Sequence, residues 1–220
     1  MRVRIKFTKN DMVKFLGHLD IMRAFQRFFN CAEVKMEYSD GFNPHQKMHF
    51  ALPLGVGITS RAEYLDAEIA DGQDTKDICR RLNCVSSDAF DILAVRQLYD
   101  EAAKGMACVR YASYDITFIN KRVPELKKYL EREEIIISKK TKTGIKEVDL
   151  KSILVKMDTD TDHLHILMKA GSADNLKPEL IIEDMMNFYG YDYSRDMIQI
   201  CRTELYADEF IPLIEYQTYS

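Results

Sequence analysis

Residues 1–9 read MRVRIKFTK. Val3, Ile5 and Phe7 alternate with Arg2, Arg4 and Lys6, a period of two that predicts a half-buried strand. A helix is expected next over 18–30. Phe15, Met22, Phe25 and Phe29 fall on one arc of its wheel, with Ile21 and Phe28 at the edge. Asp20, Arg23, Arg27 and Asn30 lie opposite. Val34, Met36 and Tyr38 predict a short strand, and 39–44 (SDGFNP) is turn chemistry. Strands are expected at 47–54 and 62–70. Asp74 with Asp77 resembles a capping pair for a second helix, in which Ile78 and Leu82 would face the sheet. A strand over 90–98 closes the unit. Apart from the short strand at 34–38, the order is β–α–β–β–α–β, close to that of a ferredoxin-like split βαβ unit.

The remaining residues repeat this order loosely. Residues 101–107 (EAAKGMA) read as a linker. A strand is expected over 111–119. Pro124 suits a helix first turn, with Leu126, Tyr129 and Leu130 as its apolar face. Another strand is expected over 135–139. Residues 153–157 and 164–169 predict a hairpin across 158–162. Pro178 opens a helix carrying Leu180, Ile181, Met185 and Phe188, and Gly190 ends it. A final strand is expected over 197–206. The predicted fold class is therefore α+β, with two tandem ferredoxin-like units built on antiparallel sheets. Their expected bounds are 1–100 and 108–206, followed by a C-terminal tail, 207–220.

Composition excludes some function classes. Hydrophobic residues are 46% of the 220 and the formal net charge is only −4, so the chain is not of the disordered class. That slightly acidic sum also excludes a bulk polyanion binder. Its distribution is uneven: +4 over 1–49, −4 over 50–100, zero over 101–120, +5 over 121–146 and −9 over 147–220. Two basic segments thus sit in an acidic chain. No apolar run approaches the ~20 residues of a membrane helix, and the start lacks signal-peptide character. Cys31, Cys79, Cys84, Cys108 and Cys201 contain no CxxC pair and read as free thiols, which predicts a cytoplasmic protein without membrane partners.

The densest polar chemistry lies in GHLD (17–20) and SDGFNPHQKMH (39–49). His18, Asp20, His45 and His49 offer a metal or acid–base set if the loop folds over the helix start. In strand geometry, His45, Lys47 and His49 instead share one face, which suits an anion better. Arg23 and Arg27, at i and i+4, provide guanidinium forks for phosphate, with Arg2, Arg4 and Lys6 nearby. Asn43 adds a polar group and Phe42 a ring on which a base can stack. Lys139, Lys140, Lys142 and Lys146 form a second basic loop around Gly144. Asp66 and Glu68, like charges on one strand face, are expected to face water. PLGVG (53–57) is no P-loop, and Asp158, Asp160 and Asp162 fail as a calcium loop because His163 and Lys169 occupy the Gly and Glu positions. No catalytic motif is present, so the chain reads as a binding module rather than an enzyme, and no cofactor is expected in it.

FLGHLDIMRAFQR (15–27), YSDGFNPHQKMHFALPLGVG (38–57), EYLDAEI (63–69), KKTKTGIKEVDL (139–150) and CRTELY (201–206) together resemble the bacterial radical-SAM-linked domain family, which has no assigned activity. Two positions depart from that pattern: Gly17 stands where the family has Ser, and Gln46 where it has Pro. The resemblance implies a radical SAM protein as partner. That partner would carry the iron–sulfur cluster and S-adenosylmethionine, since this chain lacks a three-cysteine cluster motif. It also points to RNA or a ribosome-related substrate. A protein-docking scaffold using the acidic 147–220 region, and a metal-dependent or acid–base enzyme, are the competing readings.

Overall fold

The computed structural model describes residues 1–219 except 87, 120–122, 142–143 and 172–175, and leaves out the side chains of 140 and 141. The protein is α+β and divides into two compact units: Met1–Arg110 with Arg202–Ser220, and Tyr111–Cys201. Among the described residues no helix is long and apolar enough to cross a membrane.

The first unit follows the predicted element order except at 34–38, where isolated bridges at Met36 and Tyr38 stand in place of the expected strand. Strand β1 (Arg2–Lys9) leads to helix α1 (His18–Cys31), the short strand β2 (Met48–Phe50), strand β3 (Thr59–Glu68), helix α2 (Thr75–Val85) and strand β4 (Ile92–Gln97). Strand neighbours run β4-β1-β3, with β2 on β3. The pairs β1–β3, β1–β4 and β2–β3 are all antiparallel. Alternation in β1 buries Val3, Ile5 and Phe7 completely. Helix α1 adds Ile21, Phe25 and Phe29, and α2 adds Ile78 and Leu82, as their spacing predicts. Phe7 and Phe25 stand 4.5 Å apart, with Phe50 and Phe90 in edge contact with Phe25. Phe15 departs from its expected arc: it precedes the helix and is 71% exposed. Asp74 caps α2 by accepting from the Lys76 and Asp77 amides.

The other face of β1 and β3 overturns an expectation. Arg4 is fully buried and Asp66 nearly so. These residues are register partners, and their forks meet at 2.7 and 2.9 Å. The remaining Arg4 nitrogen donates to the carbonyls of Leu213 and Tyr216. Asp66 also accepts the Gly105 amide at 2.7 Å. Lys6 and the Tyr64 hydroxyl both reach Glu204, and burial raises the Tyr64 phenol far above its ordinary range. Arg202 forks onto Glu63 and donates to the Leu52 carbonyl. Lys9 is buried, donating to the carbonyls of Lys14 and Leu16; burial pulls its ammonium pKa down. Arg2 donates to the Ala102 carbonyl. Arg2, Arg4 and Lys6 are therefore bound within the fold and do not form a phosphate clamp. Residues 207–220 likewise belong to the first unit, because their backbone carbonyls complete the Arg4 site. The expected linker carries a short helix, α3 (Gly105–Cys108). A Cβ at Gly105 would stand 3.1 Å from both Ala51 Cβ and Asp66 Oδ2, so this close approach favours glycine.

The second unit contains β5 (Tyr111–Phe118), α4 (Leu126–Leu130), β6 (Ile136–Thr141), β7 (Gly144–Asp149), α5 (Leu150–Ile153), β8 (Leu154–Thr159), β9 (His163–Lys169) and α6 (Pro178–Phe188). Strand β10 (Ile198–Tyr206) begins here and passes into the first unit at Arg202. The hairpin β8–β9 forms where predicted, and β9 pairs with β5. Ala112, Ile116, Leu164 and Ile166 fill the core with Ile181, Ile182 and Met185 of α6. Pro178 starts α6, and Gly190, at φ +68°, follows its end. Asp184 ties α6 to α4 by accepting from the Tyr129 hydroxyl and Arg132. The basic segment is not a free loop: β6 and β7 pair as a separate two-stranded sheet. On the sheet surface, His165 contacts Asp115 at 2.7 Å and lies 3.6 Å from Asp160. The Asp115 hydrogen bond raises the His165 pKa against a smaller desolvation effect.

Two predictions follow from these contacts. Asp66→Ala leaves the buried Arg4 charge without its fork and is expected to cost about 3–5 kcal/mol in urea unfolding, whereas Asp20→Ala, at an exposed pair with Arg23, costs less than about 1 kcal/mol. For His165, a raised native pKa means its stabilisation is fully present below the ordinary histidine value of about 6.5 and is lost as pH rises through the native value. The unfolding-midpoint gap between wild type and His165→Gln should therefore shrink as pH rises above the ordinary histidine value of about 6.5. A gap independent of pH would contradict the pairing.

Candidate functional site

The polar loop after α1 is held by a small ladder. Bridges pair Met36 with Ile69 and Tyr38 with Gln46. The Ser39 amide donates to the His45 carbonyl at 2.8 Å, the His45 amide to Ser39 Oγ at 3.1 Å, and the Lys47 amide to the Glu37 carbonyl at 2.9 Å. Gly41, at φ +110°, makes the turn at the tip. That turn places Phe42 fully in solvent, with Asn43 exposed beside it. Phe42 is thus not a core residue.

From Gln46 to Phe50 the chain alternates. Gln46, Met48 and Phe50 are buried, while His45 and His49 are exposed and Lys47 is half-buried. Register fixes His49 opposite Asp66 and Phe50 opposite Leu65. Between this segment and α1 lies a groove of about 500 Å³, lined by Met22 and Gln26 of the helix, Ser39, and residues 45–49. His45, Lys47 and His49 all line this groove, together with Gln46 and Met48. Lys47 also pairs with Glu68 at 3.3 Å. Gln46 sits between them, its Nε2 donating to Asn30 Oδ1 at 2.8 Å. Its Oε1 is buried without a partner.

The other expected members are placed differently. The His18 ring packs edge-on against Phe50, at 5.0 Å between centroids. Arg23 is exposed and bonded to Asp20. Arg27 is exposed on the same helix stripe, one turn before Asn30. None of these three lines the groove. His18, Asp20, His45 and His49 do not converge as a metal set, and no group of three or more His, Cys, Asp or Glu among the described residues does. The reason is packing: Phe50 holds the His18 ring while Arg23 engages Asp20. Gly17 is the N-cap of α1 and supplies no side-chain cap.

In the second unit Lys139 and Lys146 are direct register partners across β6–β7, and Lys140 is opposite Ile145. Like charges directly opposite repel. Lys142 and the Lys140 side chain lie outside the described residues. The groove contributions of Met22, Gln26 and Gln46 were missed from sequence. Only the departure at Gln46 marked that position in advance.

Among curated proteins, none matches this sequence. Residues 2–178 match the model of a family described as "Uncharacterized protein conserved in bacteria (DUF2344)". That match spans most of the chain, and the protein belongs to this bacterial family.

Proposed function

We propose that the protein is an accessory binding module that positions RNA for a radical SAM partner. The observation that carries the RNA reading is the groove edge, where His45, Lys47 and His49 stand together. Arg27 is exposed on the adjoining helix, and the fully exposed Phe42 ring crowns the loop. Basic groups beside an exposed aromatic ring combine phosphate attraction with a stacking platform. Lys139 and Lys146 offer a second phosphate contact within their own unit. The element order of the first unit, with neighbours β4-β1-β3-β2, supports a ferredoxin-like reading, a frequent RNA platform. The radical SAM partner is what the sequence resemblance implies, and that partner would carry the iron–sulfur cluster and S-adenosylmethionine.

Filter binding of a single-stranded RNA over a salt series tests the reading. Affinity should fall with salt at a log–log slope of about −0.7 for each phosphate contacted. Arg27→Ala should flatten that slope by about one contact, and Phe42→Ala should weaken binding by about 1–3 kcal/mol without changing it. Absent or salt-insensitive RNA affinity overturns the proposal.

A further inference from the structure

Gln46 holds a feature that phosphate contact leaves unused. Its side chain is 8% exposed, and it lines the groove. Asn30 engages the amide nitrogen, while the amide oxygen has no donor. A buried acceptor left unpaired is destabilising, so the groove favours an occupant that brings an N–H. Met22 on the helix wall and Met48 on the strand wall add polarisable thioethers, and sulfur makes favourable contacts with flat rings. The imidazoles of His45 and His49 flank them, and the Lys47 ammonium stands between on the exposed edge. The volume of about 500 Å³ falls within the range of small-molecule sites. The requirements are thus a planar ring, a donor on its edge, and an anionic tail toward the basic rim.

We propose that the groove holds one unpaired nucleotide whose base donates an exocyclic amino hydrogen to Gln46 Oε1. This rests on the RNA reading and specifies the contact within it. Adenine, cytosine and guanine carry such an amine. Uracil does not: its ring N–H is flanked by two carbonyl oxygens, which the Gln46 oxygen would repel. Asn30 engages a hydrogen of the Gln46 nitrogen, and the unpartnered oxygen is the acceptor that the amide offers the base.

The test is competition against a labelled single-stranded RNA bound to the full-length protein. The competitors are adenosine 5′-monophosphate, its counterpart lacking the 6-amino group, uridine 5′-monophosphate and inorganic phosphate. The adenosine nucleotide is expected to compete about tenfold better than the des-amino form and than the uridine nucleotide. Gln46→Met keeps the bulk, removes the acceptor and should close that gap, leaving the salt slope of the RNA unchanged. Equal competition by amino and des-amino nucleotides, a uridine preference, or phosphate competing as well as nucleotide overturns the proposal. So does a gap that survives in Gln46→Met. Should that variant not fold, the nucleotide series on wild type decides alone. Salt-dependent RNA binding without base discrimination rejects this contact but keeps the RNA reading. Base discrimination without salt-dependent RNA binding rejects the RNA reading instead.

Discussion

The fork between Arg4 and Asp66 organises the first unit. It joins β1 to β3 at one register position, and the spare Arg4 nitrogen collects two carbonyls from the C-terminal segment. The Gly105 amide meets the same carboxylate. Four stretches far apart in sequence thus converge on one buried ion pair. A buried guanidinium without these acceptors would be strongly destabilising, so the C-terminal segment must close over the sheet. Arg202 on Glu63 repeats the device on the same strand.

This arrangement also changes the meaning of the charge count. The +4 of residues 1–49 suggests a basic face, but Arg2, Arg4, Lys6 and Lys9 all have internal acceptors. Glu204 illustrates the exchange: it belongs to the acidic −9 region and meets Lys6 from the basic one. What remains outside includes Lys14, Lys35, a small basic rim at 45–49 and the helix stripe of Arg23 and Arg27. Selectivity for a ligand must then come from local geometry more than from a long-range field.

Period and capping signals made much of the fold legible in the sequence. Val3, Ile5 and Phe7 give their strand by alternation alone, and Asp74, Pro178 and Gly190 mark helix ends through backbone rules that act locally. The failures concern partners distant in sequence. Arg4 reads as solvent-facing because nothing near it announces residues 213 and 216. Asp66 reads as exposed for the same reason, since its partners are at positions 4 and 105. KKTKTGIK reads as a loop because its lysines obscure the pairing of Lys139 with Lys146. At the candidate site the shared face of His45, Lys47 and His49 was legible from strand geometry. The opposing wall, Met22 and Gln26, depends on how α1 packs, which no local signal reports. Cys31 and Cys84 are exposed, because helix ends left them outside the core.

The groove and the buried fork are mechanically connected. His49 is the register partner of Asp66, so the strand that holds Arg4 also sets the height of the groove's basic edge. Phe50, next in line, packs against Phe7, Phe25 and His18. The opposite wall is part of α1, whose Phe25 and Phe29 are fully buried in the same core. Both walls therefore hang from one packed cluster, and the spacing between them is set before any ligand arrives. Such preorganisation lowers the ordering cost of binding. The loop tip differs. Gly41 and the exposed Phe42 lie beyond the ladder closed by Ser39 and His45, and no core contact fixes the Phe42 ring. A groove held by the core thus sits beside an aromatic ring that stands clear of it, so the proposed selection at Gln46 and the proposed capture at the rim fall on separate parts of the fold.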